Sequence, residues 1–370
     1  MNGTHRFVGI YRKRPPAKDP DEGYERLVRQ RVGPPIFRDE QFCLFSTEPL
    51  GSQPRASLLT GEGVTVLSGE PLLVDPDGRA SSRTLALAEL ANSLGSDSLS
   101  IISRAHGAFC GAHFSRESRT LYLFSDKIGL RGLYMAQIGS TLLFSDNFNL
   151  LREAISSESE IDELGTAESV AFGYPLGDRT TLLECKRLLE AEIVKHTPTS
   201  QHRSQYFKWR SRIDQDASIE CAADRIYEAL KVAVSTRLQN DPQEMQFAFL
   251  SGGMDSRLIV HLLKVLGRSP VTLNVAPTAT QDAIFGQLAA DFFSTNHHSM
   301  PTSGASLGEG IVQGVNAIES IYSGFDATRW WSGDGGSVGL GYVYLTEETC
   351  SETSASPEEL ARKLIKHNNW

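Results

Sequence analysis

The hexapeptide Ser251-Gly252-Gly253-Met254-Asp255-Ser256 lies between an apolar run, residues 247–250, and an apolar helical pattern over 257–267. A buried strand that runs straight into a helix delivers its C-terminal end to a ligand crevice. The first turn of that helix offers free backbone N–H groups and the positive end of the helix dipole. Gly252 and Gly253 allow close backbone approach to an anion, and Ser251 and Ser256 add hydroxyl donors. Such a set makes a cradle for phosphate or pyrophosphate. Asp255 would repel a bare phosphate, but it suits a site where Mg²⁺ lies between carboxylate and phosphates. The pattern is not G-x-x-x-x-G-K-[ST], because no lysine closes it. A tight turn with no ligand is the alternative. The Asp-Ser pair in register at the strand-to-helix junction weighs against it.

A second glycine-rich stretch, WSGDGGSVGLGYVY over 331–344, also suits close approach of backbone to a nucleotide. A plain flexible loop is its alternative. The five cysteines (Cys43, Cys110, Cys185, Cys221, Cys350) are far apart and odd in number, which reads as free thiols rather than a disulfide or metal set. The nine histidines are scattered, and only His297-His298 are adjacent.

Two kinds of element must position these residues. The first ~200 residues read as β-rich. Short apolar or alternating runs fall at 6–11, 42–46, 64–69, 107–114, 120–126, 140–146 and 191–197. Their spacing suits a two-sheet sandwich, with short helices at 85–95 and 148–155 beside it. Beyond residue 213 the rhythm changes. Residues 213–241 read as a helix with Ala222, Ile226, Ala229, Leu230 and Ala233 on one face, and with Asp216 or Ser218 as cap. Strand and helix then alternate over 244–250, 257–267, 270–276 and 281–293, the rhythm of a parallel sheet wrapped by helices. The polar segment 210–218 is the best boundary between domains. Near the end, Ser356, Pro357 and Glu359 form a helix start, followed by an apolar stripe at Leu360, Leu364 and Ile365.

The chain has 370 residues and a net charge of −9, with no long basic block, which argues against nucleic acid as a partner. It has no apolar run of about 18 residues and no signal-peptide core, so membrane spans are not expected and cytoplasm is the default. A homodimer is allowed but not specified.

The hexapeptide resembles the pyrophosphate-binding loop of the asparagine synthetase family. Residues 107–151 resemble that family's G-x-F-A … R-D-x-x-G-x-x-P-L-Y … F-A-S-E block at Gly107, Phe109, Asp126, Gly129, Leu133, Tyr134, Phe144 and Ser145. Residues 172–198 resemble its G-D-x-T-L-x-x-x-I-x-R-L-x-P-G segment at Gly177, Asp178, Thr181 and Leu182, with one extra residue between the pairs. Residues 204–209 resemble its Y-W segment. The stretch 331–344 resembles L-S-G-E-G-S-D-E-x-F-G-G-Y. Ser332, Gly333 and Gly335 match there, and Asp334 stands at the family's Glu. Ser337 stands at its second Mg²⁺-binding Asp, and Val338 replaces the next Glu.

The resemblance implies an α+β two-domain fold. An N-terminal nucleophile-type β-sandwich flanked by helices (residues 1–209, glutaminase-like) precedes an α/β ATP-pyrophosphatase parallel sheet of the adenine nucleotide alpha hydrolase type (213–370). It also implies an ATP-dependent ligase. A small-molecule or peptide carboxylate is adenylated with release of pyrophosphate, and ammonia or an amine attacks. By the same comparison Leu250, Ser251, Gly252, Gly253, Asp255, Ser256, Val275, Ser332 and Gly333 bind ATP and pyrophosphate, with Asn274 as a neighbour. Asp255 and Asp334 are the catalytic candidates. Asp255 is the Mg²⁺ ligand, and Ser337 holds the position of a second one.

Besides Ser337 and Val338, the sequence departs from the family in three places. Glutamine-dependent members begin with a catalytic Cys in C-G-I-x-G, where this chain has Val8-Gly9-Ile10-Tyr11. The glutamine-holding N-G-E-I-Y-N is reduced to Ser68-Gly69-Glu70-Pro71, so no glutamine hydrolysis is expected, as in β-lactam synthetases and lasso-peptide cyclases. The C-terminal end reads as short, and neither Lys363 nor Lys366 aligns with the family's late lysine. The competing expectation is therefore a degenerate or truncated nucleotide-binding homologue.

Overall fold

The computed structural model describes residues 6–13, 22–47, 56–74, 80–155, 159–209, 218–239, 245–302, 307–322 and 330–336, with Ser356, Glu359 and Arg362. The chain divides into two compact units, Asn2–Asp216 and Ala217–Trp370.

The first unit contains β1 (Phe7–Arg12), α1 (Glu22–Val32), β2 (Pro35–Arg38), β3 (Phe42–Ser46), β4 (Ser57–Leu59), β5 (Gly63–Gly69), α2 (Arg83–Gly95), α3 (Ser100–Arg104), β6 (Phe109–Ser115), β7 (Thr120–Ser125), β8 (Tyr134–Ile138), β9 (Thr141–Ser145), α4 (Phe148–Ile155), α5 (Glu163–Phe172), β10 (Cys185–Arg187), β11 (Glu192–His196) and β12 (Gln201–Gln205). Its strands form two six-stranded antiparallel sheets, β10-β8-β9-β1-β3-β2 and β12-β11-β7-β6-β5-β4. The period of two along each strand sorts the apolar residues into three cores. Phe7, Tyr11, Phe42, Leu44 and Phe144 of one sheet meet Val66, Phe114, Leu121 and Val194 of the other. Val8, Ile10, Phe45 and Leu143 turn outward against Val28 of α1 and Leu151 and Ile155 of α4. Leu67, Phe109, Phe124 and Ile193 turn outward against Leu87, Leu90 and Leu94 of α2 and Ile102 of α3. The sandwich is thus flanked by helices on both sides.

The second unit contains α6 (Ile219–Gln239), β13 (Phe247–Phe249), α7 (Met254–Val265), β14 (Val271–Ala276), α8 (Gln281–Phe293), β15 (Asn296–Pro301), α9 (Leu307–Ile321) and β16 (Trp330–Trp331). Its four strands are parallel, in the order β15-β14-β13-β16. Ala248 and Leu250 pack with α6, α7 and α8 through Val234, Leu238, Val260, Leu263 and Ala290. Phe247 and Leu273 pack on the other face with Ile318 of α9. From β13 the chain winds outward to β14 and β15, then returns to β16 on the opposite side of β13. The strand order therefore reverses beside β13, and a doubly wound sheet opens its ligand crevice at such a reversal.

Ser218 caps α6, its hydroxyl accepting the Cys221 N–H at 3.2 Å, whereas Asp216 lies outside the described residues. The expected inward face of α6 is displaced. Val234 and Leu238 are buried with Tyr227 and Leu230 beside them, while Ile226 is 42% exposed. A stripe at 227, 230, 234 and 238 keeps helical spacing and brings larger side chains inward than the alanine-rich face does. At the C-terminal end Ser356 and Glu359 cap each other reciprocally, at 3.2 and 3.3 Å. Leu360, Lys363, Leu364, Ile365 and Lys366 lie outside the described residues, as do Ser337, Val338 and Cys350. No helix among the described residues is long and apolar enough to cross a membrane.

Candidate functional site

The turn 251–256 leaves β13 in the middle of the parallel sheet and enters α7 at Met254. Leu250 anchors it from below. Its side chain is fully buried, its N–H donates to the Leu273 carbonyl at 2.9 Å, and its carbonyl accepts from Asn274 Nδ2 at 3.0 Å. The residue expected to line a nucleotide site thus directs side chain and backbone into internal contacts.

The two serines hold the turn together. The Ser251 and Ser256 hydroxyls are 2.9 Å apart, the Ser251 N–H donates to Ser256 Oγ at 3.1 Å, and the Gly253 N–H donates to Ser251 Oγ at 3.1 Å. Ser256 is 4% exposed, and its hydroxyl also reaches the Ser251 and Gly253 carbonyls at 3.3 and 3.2 Å. Gly252 presses on the first turn of α8, where a Cβ would lie 3.0 Å from Asp282 Cα and 3.1 Å from the Gln281 carbonyl. The Gly252 N–H donates to Asp282 Oδ1 at 2.8 Å.

Gly253 is the N-cap of α7, in extended conformation, and no side chain caps the helix. The side chains of Ser82, Asp162 and Thr280 do cap α2, α5 and α8. The first turn of α7, which includes the acidic Asp255, thus has no side-chain acceptor at its N-cap.

The second glycine-rich stretch closes over the same turn. The pairing of β13 with β16 sets Phe247 opposite Trp330 and Ala248 opposite Trp331, so both loops leave the sheet at one level. A Cβ on Gly333 would lie 2.4 Å from the Ser256 nitrogen, and one on Gly336 would lie 2.6 Å from Asp255 Cγ. The two stretches touch where only glycine leaves room. Asp334 is exposed, with its N–H donating to Ser332 Oγ at 3.0 Å. Gly335 has φ +82°, and the Gly336 N–H donates to the Gly333 carbonyl at 3.3 Å, which makes a tight turn. Ser251, Gly252, Gly253, Asp255, Ser256 and Gly333 are thereby brought together, with Ser332 and Asp334 in the turn that covers them.

The Val275 side chain turns away from the loop. It packs with the α9 core, where Cβ atoms on Gly310 and Gly314 would lie 3.0 and 3.2 Å from it. Its neighbour Asn274, 2% exposed, faces the loop and donates to Leu250 and to Asp282 Oδ2 at 3.2 Å. Asn274 Oδ1 is buried with no hydrogen-bond partner among the described residues. No group of three or more His, Cys, Asp or Glu side chains among the described residues could hold a metal. The donor set fits Mg²⁺ in its usual nucleotide-bound form, in which one or two carboxylates and the substrate phosphates supply the ligands. Asp255 is the carboxylate that would take that role.

In the first unit, Val8 and Ile10 are wholly buried in β1. Burial pushes the Cys43 and Cys185 thiols up to about 12 and the buried Cys110 thiol well above its usual value. None of the three is a thiolate nucleophile at neutral pH. Asp126 is fully buried, and its carboxylate accepts the N–H groups of Phe109, Ile128, Leu130 and Arg131 at 3.0–3.2 Å. That motif residue builds a turn. Asp282 was not singled out from the sequence, since an acidic residue in the first turn of a helix is commonplace.

Two solved structures align with most of the chain at low identity. One is a glutamine phosphoribosylpyrophosphate amidotransferase from B. subtilis complexed with ADP and GMP, 11% identical over 92% of this chain and 93% of that one, with a TM-score of 0.35. The other is an allosteric regulatory enzyme of purine biosynthesis, 12% identical with the same coverage and a TM-score of 0.36. No curated protein matches the chain. Residues 225–330, a span that includes the whole turn 251–256 and ends at Trp330, match the family described as asparagine synthase.

Proposed function

We propose that this protein is an ATP-dependent amide-forming ligase that adenylates a carboxylate and passes the acyl group to an amine. One observation carries the reading. The turn 251–256, inside the span similar to asparagine synthase, meets a second glycine-rich turn just beyond that span, at the N-terminus of α7, which no side chain caps, with Asp255 between them. ATP lies with its phosphates at the first turn of α7, where backbone N–H groups and the helix dipole favour negative charge. Mg²⁺ held by Asp255 would neutralise phosphate charge there. An oxygen of the substrate carboxylate attacks the α-phosphorus, and the bond to pyrophosphate breaks. The nitrogen nucleophile then attacks the acyl carbon, AMP leaves, and the amine gives up a proton. The chain contributes alignment and charge stabilisation, so no protein nucleophile is required.

The amine comes from solution or from the substrate rather than from glutamine. By the resemblance Val8 takes the place of the family's nucleophile, its side chain is buried in β1, and burial raises the three buried thiols above their usual value. The test is ATP–pyrophosphate exchange with Mg²⁺ across a panel of carboxylic acids, beside Asp255→Ala. Exchange that requires one acid and falls by about 10²-fold or more in the variant is the expected result. ATP binding with no exchange for any acid overturns the ligase and favours a nucleotide-binding homologue, the outcome to which Ser337 points.

A further inference from the structure

We infer that Asp282 is the positioning residue of this nucleotide loop, an inference that rests on the proposed function. Its carboxylate joins α8 and β14 to a turn thirty residues earlier in the chain. Oδ1 accepts the Gly252 N–H at 2.8 Å, and Oδ2 accepts from Asn274 Nδ2 at 3.2 Å. The same amide nitrogen donates to the Leu250 carbonyl at 3.0 Å, directly before the turn. One carboxylate on α8 and one amide on β14 thus hold the exit of β13 together.

The pairing has a fixed sense. Asn274 Nδ2 faces three acceptors, the Leu250 and Asp282 carbonyls and Asp282 Oδ2, so the amide cannot flip without setting oxygen against oxygen. Asp282 lies in the first turn of α8, where the helix dipole favours its negative charge. A Cβ on Gly252 would lie 3.0 Å from Asp282 Cα, a tight approach, so the latch and the turn are in direct contact.

The latch assigns the donors of the loop. The Gly252 N–H belongs to Asp282 and the Gly253 N–H to Ser251, so neither is offered to phosphate. Polyphosphate is then bound by the uncapped first turn of α7, with Gly252 serving to seat the turn on α8. The opposite arrangement, in which Asp282 only fills the place of a phosphate and leaves when ATP arrives, predicts the reverse response to its removal.

The experiment uses the full chain with Asp282→Ala and Asp282→Asn. Amide hydrogen exchange of the segment 250–254 reads the latch without any ligand, with residues 311–318 of α9 as internal control. Calorimetric binding of inorganic pyrophosphate with Mg²⁺ reads its consequence. In Asp282→Ala, exchange of 250–254 rises by about tenfold with the α9 segment unchanged, and pyrophosphate affinity falls by about tenfold, the scale of one hydrogen bond to a charged group. Asp282→Asn keeps an acceptor for Gly252 and recovers most of both losses. Unchanged exchange in Asp282→Ala overturns the latch. Tighter pyrophosphate binding in that variant overturns the positioning role and makes Asp282 a phosphate stand-in. If the wild type binds neither pyrophosphate nor ATP, the proposed function falls with the phosphate part of this inference, while the exchange result judges the latch alone.

Discussion

Gly333→Ala tests whether the two glycine-rich turns form one site. The added Cβ would lie 2.4 Å from the Ser256 nitrogen, 2.7 Å from the Asp255 carbonyl carbon and 2.9 Å from Ser256 Cα. These are backbone atoms of the first turn of α7, so no side-chain rotation relieves the clash. Ordinary contact begins near 3.5 Å, so the turns must separate by roughly 1 Å. Overpacking of this kind costs about 1–3 kcal/mol, which lowers the melting temperature of a unit this size by about 2–10 °C. The functional loss is larger, because a displacement of about 1 Å in a site that works by alignment can cost about 10²-fold in rate. Gly308→Ala on α9 is the control, since nothing lies within 4 Å of its Cβ position. Melting followed by circular dichroism, with ATP–pyrophosphate exchange on the same samples, separates the two effects. If Gly333→Ala melts and exchanges like the wild type, the turns do not touch, and the composite site on which the ligase reading depends is refuted.

The first unit sets a pH response of its own. Burial depresses His113 and His196 to about 4 from the usual 6.5, so their contribution is complete above pH 6.5. It is lost as pH falls towards 4, when the unfolded chain takes up protons that the folded one refuses, roughly 3 kcal/mol for each group. Asp146 works against this loss. Burial raises its carboxyl to about 6 from the usual 3.8, and protonation between those values returns about 3 kcal/mol. A net loss of roughly 3 kcal/mol between pH 6.5 and 4 is expected from urea titrations, and a flat profile would refute it. His196→Phe should remove most of that slope and raise stability at pH 7.5 by about 1 kcal/mol, because both ring nitrogens of His196 are buried without a partner among the described residues. Urea midpoints at pH 7.5 and 4.5 decide it.

The elements that bury large apolar side chains were legible in the sequence. The central strands of the sandwich are covered on both faces, so β1, β3, β6, β7 and β9 read as apolar runs. The edges were not legible. β12 (Gln201–Gln205) is polar and mostly exposed, and β15 (Asn296–Pro301) is little better covered, so both are strands by backbone pairing alone. The turn 251–256 was visible because glycine, hydroxyl and carboxylate fall together in one hexapeptide. Its support was not, because Gly252 and Asp282 are thirty residues apart and meet only when β14 and α8 fold beside the turn. Leu250 and Val275 show the same limit. Their places at the ends of β13 and β14 were expected to bring backbone to a nucleotide, while the cores their side chains enter form only when the helices pack on the sheet.

What brings Gly336 to Asp255 is a strand of two residues. So short a strand makes few ladder bonds, and its register needs help from side chains. The Trp330 ring packs at 5.3 Å from Phe247 and 5.0 Å from Phe249, on the α9 face. Trp331 turns to the other face and donates its Nε1–H to Gln246 Oε1 at 2.8 Å. A slip of one residue would exchange the two rings between faces, losing both the aromatic contact and the hydrogen bond. The tryptophan pair therefore sets the level at which the second turn leaves the sheet. That level decides whether Gly333 and Gly336 arrive over the first turn of α7 or one residue short of it. The glycines allow the close approach, while the register of Trp330 and Trp331 determines where it occurs.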